Sequence, residues 1–430
     1  MRQPTFPVYP DRCGWDVMLP ARRPTASARG RISAKHAIVG AGFTGLAAAR
    51  RLHELDPGAE IVVLEAATLG EGSSARNSGF LSPTDIASGA DPATVSANEA
   101  RNRYLTEGFE ELAGLVARHA IDCDLHQSGR IKAAATASGE AAVRDAAAVA
   151  SSLAIAHVRL DARGIRERIG TGYYRDGIFT GDGHLVQPAA LVRGLADHLP
   201  AGIQLHEQSP VLSLRRAGKW RLETPDAEIT AGTVIMAANA AIKHLGYLRD
   251  RLVTIYTYAA ITAPVPERDR ACLGAMPTWG VLPVHRLGTT LRRVGRDRLL
   301  VRSLYAYERG LSPAAACAAL LARFRRRYPE LGHVDLEHVW GGTTALTMNG
   351  APWWGRLDDG LYTSAGCNGS GIVKGTVLGK RLAEQIVGRP VGADVTATFG
   401  SASWVAPEPF RTIGFKIVSA VARRRAGLES

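Results

Sequence analysis

An α/β fold opening on a parallel sheet is what this sequence predicts, and two observations carry most of the prediction. Residues 35–65 read strand, glycine loop, helix, turn, strand and acid. Residues 361–388 repeat the strand, glycine loop and helix more than three hundred residues later. A third observation sets the scale. A chain of 430 residues, 46% of them hydrophobic, can bury a sizeable core spread over two domains. Its 46 glycines belong to no low-complexity tract, so they mark tight turns and close backbone approaches.

The front unit comes first. His36 to Val39 is a short β-rich run that ends in Gly40-Ala-Gly42-Phe43-Thr44-Gly45, and an alanine- and leucine-rich helix follows to about Leu55. Asp56-Pro57-Gly58 makes a turn, and "AEIVVLEA" is a second buried strand ending at Glu65 and Ala66. Each part has a task in holding a dinucleotide. Gly40 permits the tight turn, Gly42 lets a pyrophosphate approach the backbone, and Gly45 lets the helix pack on the strand. The helix N-terminus faces the phosphates, and Glu65 accepts from the ribose hydroxyls. An acid at this position disfavours the 2′-phosphate of NADP and leaves FAD or NAD.

After Glu65 a nicotinamide-binding unit would continue into a third apolar strand. This chain runs instead into "LGEGSSARNSGFLSP", where Ser73, Ser74, Arg76, Asn77 and Gly79 crowd a polar loop, and then into a helix from about Ala97 to Ala120. "IVGAGFTGLAAARRL", "VVLEA" and "GSSARNSG" together resemble the FAD-dependent D-amino-acid oxidase and glycine oxidase superfamily, in particular its γ-glutamylputrescine oxidase-like branch. Later segments resemble the family in the same order. "GDGHLVQPAALVRGLADHL" opens a helix with a proline, "QSPVLSLRR" lays Val211 beside the adenine, and "AGTVIMAANA" carries Asn239. "VWGGTTALTMNGAPWWGRLDDGLYTSAGCNGSGIVKGTVLGKRLAEQIVG" resembles the closing flavin segment.

The resemblance implies a Rossmann-like FAD-binding domain assembled from residues 30–95, 165–240 and 336–400. A substrate domain on an antiparallel sheet would be inserted as residues 96–164 and 241–335, with a strand and basic helix in the tail, 401–430. The runs at 124–136, 254–265, 289–293 and 298–304 read as strands of that domain, and Ser312-Pro313 starts an amphipathic helix. With the pyrophosphate held by the first loop, the second loop should meet the isoalloxazine. Gly366, Asn368, Gly369, Gly371 and Ile372 would offer backbone N–H groups and a positive helix end to the charge that reduction places there.

Flavin oxidation of an amine needs a neutral amine with its α-C–H held over the ring, and no catalytic triad is expected. The resemblance implies hydride transfer from a C–N bond of an amine or amino acid, giving an imine that hydrolyses. Oxygen is the expected acceptor. A dehydrogenase serving a quinone or protein acceptor, or a catalytically silent flavin-binding partner protein, is the alternative. Tyr256, Tyr258, His285 and Arg286 are the candidate substrate contacts. Trp340, Trp353 and Trp354 are expected to pack around the flavin domain. No cysteine lies in "WGGTTALTMNG", so the FAD is expected to be non-covalent. No lysine occurs between Lys243 and Lys374, and Val373 falls where the best-known branch keeps a carboxylate-binding lysine. That favours amines whose carboxylate, if any, is remote from the reacting carbon.

The excess behind the net charge of +12 is nearly all arginine, and the clusters Arg325–Arg327 and Arg423–Arg425 are expected at solvated helix ends, with no nucleic-acid motif around them. Five dispersed cysteines without CxxC spacing, and twelve histidines without metal-ligand spacing, predict neither a disulfide framework nor a metal site. The first residues carry prolines and charges where a signal sequence would be apolar, and no apolar run is long enough to span a bilayer. A cytoplasmic protein is expected. In the tail helix, Ile413, Ile417 and Ala420 form a narrow stripe expected to dock on the protein's own surface.

Overall fold

Residues 36–39 are buried on both faces, which places the strand Gly30–Val39 inside a sheet rather than at its edge. In the computed structural model, which describes residues 5–86 and 91–430, this strand lies between Ile61–Leu64 and Ala227–Met236 and runs parallel to both. Ile203–His206 extends the parallel sheet on one side and Leu361–Ala365 on the other. The ten-residue strand Ala227–Met236 divides its outer edge. Its first half pairs antiparallel with Lys219–Glu223, and its last three residues pair parallel with Leu361–Ala365. Five parallel strands thus end side by side, and the loops that follow them share one rim.

A second sheet of eight strands runs in the order 336–346, 253–262, 298–307, 290–294, 280–283, 130–134, 176–180, 157–161. It is antiparallel except where Gly280–Pro283 meets Arg130–Ala134. Its second strand, Val253–Thr262, has two apolar faces. Ala259 and Ile261 join the core shared with the first sheet, while Tyr258 and Ala260 join the core under the helix Pro313–Arg327. Strands Asp176–Thr180 and Leu336–Leu346 pair in this second sheet, although the sequence boundaries at 165 and 336 put both in the nucleotide-binding segments. The helix Pro92–Arg118 packs on the Val373–Ile386 helix, against the boundary at 96. An apolar run announces a strand but not which sheet it joins. Residues 87–90 of the expected first segment lie outside the described residues.

Two expectations for charged and apolar surfaces are corrected. Arg327 is buried rather than solvated: it stacks on Tyr173 at 4.6 Å and donates to the Glu429 carbonyl at 3.1 Å. The stripe Ile413 and Ile417 faces outward. The Phe410–Ala426 helix seats its opposite side, through Phe415 and Ala426.

Candidate active site

The three front glycines are required for three different reasons. Gly40 has φ +105°, where a β-carbon would also press on the Ala237 carbonyl at 2.9 Å. A β-carbon on Gly45 would run into the Gly40 carbonyl oxygen, so the helix Phe43–Leu55 can sit this close to its strand only with glycine there. On Gly42 it would stand 2.5 Å from the Ser74 hydroxyl oxygen, which accepts from the Phe43 amide at 3.3 Å. Glu65 closes the turn from below, its carboxylate accepting from the amides of Ala41 at 2.9 Å and Ala67 at 3.2 Å. Burial raises the Glu65 pKa, and those amides pull it back down. Val211 is buried nearby, its carbonyl accepting from the Thr5 hydroxyl at 2.6 Å.

The second loop is shaped by two asparagines held at positive φ, Asn239 at +45° and Asn368 at +53°. Asn239 accepts from the Gly366 amide at 3.1 Å and donates to the Cys367 sulfur at 3.4 Å. Asn368 accepts from the Thr347 amide at 2.9 Å and donates to the carbonyls of Gly350 and Gly366, each at 2.8 Å. Inside this frame there is room. A β-carbon on Gly369 would meet nothing within 4 Å, and on Gly371 nothing nearer than the Cys367 sulfur at 3.6 Å.

The two helices that leave these loops touch at their first turns. A β-carbon on Gly375 would lie 2.8 Å from the Thr44 hydroxyl, and one on Gly379 would run into the Thr44 carbonyl. Their N-caps, Gly42 and Ile372, supply no capping side chain. Each N-terminus carries roughly half a positive charge, so two packed together repel unless something electron-rich lies over them. A polyanionic ligand with an electron-accepting ring fits both ends of such a cradle.

The polar loop 72–79 braces the cradle from the side. Arg76 is buried and donates to the carbonyls of Glu71, Gly341 and Asp11 at 2.7, 2.9 and 2.9 Å. It also pairs with the Glu71 carboxylate at 2.6 Å and lies 4.0 Å over the Tyr9 ring. Asn77 donates to the Ser74 carbonyl at 2.6 Å and accepts from the Gly79 amide at 2.8 Å, where Gly79 has φ +74°. Both side chains are occupied by protein and act on the loop's shape. Ser73 reaches across to the second sheet, its hydroxyl 3.1 Å from that of Thr343.

Tyr256 and Tyr258 are separated by a register shift and flank Gly310. Tyr258 is buried, its hydroxyl accepting from the Leu311 amide. His285 and Arg286 lie on the turn that follows the strand Gly280–Pro283. There His285 Nδ1 accepts from the Leu287 amide at 3.1 Å, and Arg286 is exposed. No hydrogen bond links the two pairs among the described residues. Trp340 is fully buried and meets Trp15 edge-on at 6.1 Å, and Trp354 donates to the Leu378 carbonyl at 3.0 Å.

Sequence reasoning missed three contributors. Tyr9 bonds the Thr343 hydroxyl at 2.7 Å and the Ser73 hydroxyl at 3.3 Å and so ties the leading segment to the second sheet and to the polar loop. Arg292, inside the second sheet, donates to the carbonyls of Ser78 at 3.0 Å and Val186 at 2.8 Å. Burial pushes its pKa down to about 10. Lys132 reaches the Ile86 carbonyl at 3.3 Å. It shares the field of Asp85 with Lys374 in the first turn of the Val373–Ile386 helix, and burial lowers the pKa of both lysines. The charges of Arg292 and Lys132 within strand-like runs are the one signal that could have flagged those two, and nothing in the local pattern flags Tyr9.

The family model for FAD-dependent oxidoreductases, DAO, matches residues 35–385. The chain belongs to this family. This oxidoreductase is 27% identical to a probable oxidoreductase, OrdL, of Rhizobium meliloti over 399 residues, which is 90% of this chain and 91% of the relative. It is 27% identical over 363 residues to the gamma-glutamylputrescine oxidoreductase of Escherichia coli, 82% of this chain and 83% of that one. Among solved structures, a glycine oxidase from Geobacillus kaustophilus superposes with a TM-score of 0.72 at 22% identity, covering 86% of this chain and 99% of its own. An L-proline dehydrogenase from P. horikoshii does so with a TM-score of 0.67 at 16% identity, covering 89% and 100%. These structures share the fold. FAD is the oxidoreductase's cofactor, and its residues fit that cofactor. The Gly42 turn and the Phe43–Leu55 helix would take the pyrophosphate, Glu65 the ribose, and the open backbone at 369–372 the ring.

Proposed function

We propose that this oxidoreductase oxidises the C–N bond of an amine or amino acid, with oxygen as the electron acceptor. Bound FAD supplies the two-electron acceptor for the hydride leaving the α-carbon. The amine nitrogen gives up a proton, the resulting imine adds water and splits to a carbonyl compound and ammonia or, from a secondary amine, a smaller amine, and oxygen takes up the two electrons and two protons to leave as hydrogen peroxide. The observation that carries the reading is the pair of touching helix N-termini without capping side chains at the ends of the parallel strands. The E. coli relative named for gamma-glutamylputrescine supports an amine substrate.

The chain's own residues position and exclude. The second sheet covers the rim, with Arg292 and Ser73 fastening it to the cofactor loops. No cysteine lies in 339–350, so the FAD is held non-covalently. Lys132 on the second sheet and Lys374 in the first turn of the Val373–Ile386 helix, both in the field of Asp85, suit an amine that also carries an anionic group. Lys132→Met is expected to lower kcat/KM about tenfold for such amines and to spare uncharged ones, the effect of one lost charge-assisted hydrogen bond.

Anaerobic mixing with a panel of amines, D-amino acids and N-methyl amino acids tests the reading. Bleaching of the flavin by at least one amine, followed by peroxide formation on admitting air, is expected. A flavin that no member of the panel reduces would sink the proposal. A membrane quinone as acceptor is the second reading, favoured by the exposed face of the tail helix. It predicts a reduced flavin that is stable in air and reoxidised by a soluble quinone.

A further inference from the structure

The helix Phe410–Ala426 carries an apolar face that nothing among the described residues covers. Phe410, Ile413, Ile417, Val418 and Val421 recur at helical spacing and are 47–68% exposed. The residues that seat the helix lie on its other side. Phe415 stacks on Tyr307 at 4.4 Å, and Ala426 is buried.

Both ends of the helix are clamped. At the front, Glu408 accepts from the Tyr307 hydroxyl at 2.9 Å and from Arg411 at 3.1 Å, and Arg411 donates to the Arg249 carbonyl at 2.7 Å. At the back, the buried Glu429 carboxylate accepts from the amides of Ala135 at 2.8 Å and Thr136 at 3.0 Å and from the Thr136 hydroxyl at 2.9 Å. Its carbonyl accepts from the Thr289 amide at 3.0 Å and from Arg327 at 3.1 Å. The outward face is therefore held in place by the rest of the protein and is not a frayed end.

Charge selects the occupant. The helix carries Arg411, Lys416, Arg423, Arg424 and Arg425 and no acidic residue. Lys416 and the three terminal arginines are exposed. Trp404 is 57% exposed on the segment leading into the helix, a residue type that favours the headgroup level. Pairing this face with a second copy of the chain would set cations against cations with no acid from either helix, because the nearby Glu408 is already engaged. No helix among the described residues is long and apolar enough to cross a membrane. A helix with one apolar face and basic residues beside it lies in the interface plane.

We propose that the Phe410–Ala426 helix docks this oxidoreductase on an anionic lipid surface, apolar face down, with Arg423–Arg425 on the headgroups. The proposal does not depend on the substrate or acceptor.

Co-sedimentation of the FAD-loaded full chain with vesicles tests it, using phosphatidylglycerol mixed with phosphatidylcholine against phosphatidylcholine alone. Binding to the anionic vesicles that weakens with salt is expected. Replacing Arg423, Arg424 and Arg425 by alanine should weaken it on the order of 100-fold, since each cation near such a surface contributes about a factor of five. Ile417→Glu with Val421→Glu should abolish it, with flavin content and thermal midpoint unchanged because both residues are exposed. Equal partition onto the two vesicle types, or no partition at all, would overturn the proposal. So would a concentration-dependent dimer lost in the Ile417→Glu, Val421→Glu variant, which would assign the face to a second copy.

Discussion

A β-carbon placed on Gly40, Gly42 or Gly45 meets protein at once, whereas one placed on Gly369 or Gly371 meets nothing closer than 3.6 Å. The first loop is glycine-rich because its own chain is folded tightly against it, with a strand below, a helix behind and Ser74 at the side. The second is stretched open by Asn239 and Asn368, and its glycines leave backbone bare toward the place where a ligand would lie. Glycine spacing looks the same in both. At Gly40, Gly42 and Gly45 neighbouring atoms demand glycine, and at Gly369 the backbone does, at φ +87°; Gly371 is under neither demand, so substitutions there and in the first loop should separate the two.

The largest effect is expected at Gly45. Gly45→Ala forces a methyl onto the Gly40 carbonyl and should cost about 3 kcal/mol or more, with loss of bound flavin. A thermal midpoint matching the parent would break the comparison at its strongest point. Next is the strand beneath the first loop. His36 is buried, neither ring nitrogen has a hydrogen-bond partner among the described residues, and burial pushes its pKa down to about 4 from an ordinary 6.5. The unfolded chain binds the proton more tightly, so stability is complete above pH 6.5 and declines by roughly 3 kcal/mol as pH falls toward 4. His36→Leu should flatten that decline, as read from urea midpoints across the range.

A smaller effect is expected at Gly42, where the obstacle is a hydroxyl that can turn aside. Gly42→Ala should lower flavin affinity with a stability loss near 1 kcal/mol. Adding Ser74→Ala should restore the stability. If it restores the affinity too, the glycine serves packing and not ligand approach. The smallest stability change belongs to Gly371→Ala, within about 0.5 kcal/mol for the flavin-free protein. Its flavin spectrum or reduction potential should nonetheless shift. An unchanged spectrum and potential would mean the ring does not lie over this loop.

Most of the front unit was legible because its constraints are local. The packing of Gly45 on the Gly40 carbonyl and the helix to Leu55 depend on residues within about twenty positions, and Gly40 needs its φ of +105° apart from the Ala237 carbonyl that also presses on it. The helices at 313 and 373 were legible for the same reason, through Ser312-Pro313 and the C-terminal Gly388 at φ +88°. What did not show were pairings across hundreds of residues. Strands Asp176–Thr180 and Leu336–Leu346 carry no mark of which sheet takes them. Arg76 and Asn77 read as ligand contacts because polar residues near a glycine loop usually are, yet Arg76 is taken up by the carbonyls of Asp11 and Gly341 and Asn77 by Ser74 and Gly79 of its own loop. The tail stripe read as a docking face because apolar residues usually face inward, and here Phe415 and Ala426 already do so.

The leading segment, finally, has a consequence for the order of assembly. Trp15 packs against Trp340, Tyr9 bonds Thr343, and Arg22 makes two bonds, at 2.7 and 2.8 Å, to the fully buried Glu207. On the ribosome, none of these partners exists when residues 5–29 emerge. At about 5–20 residues per second, Trp15 waits on the order of tens of seconds for its partner ring. Residues made before the rest of both sheets are thus among the last to be placed. Until then an apolar tryptophan and an unpaired arginine travel exposed beside a front unit that can already begin to fold.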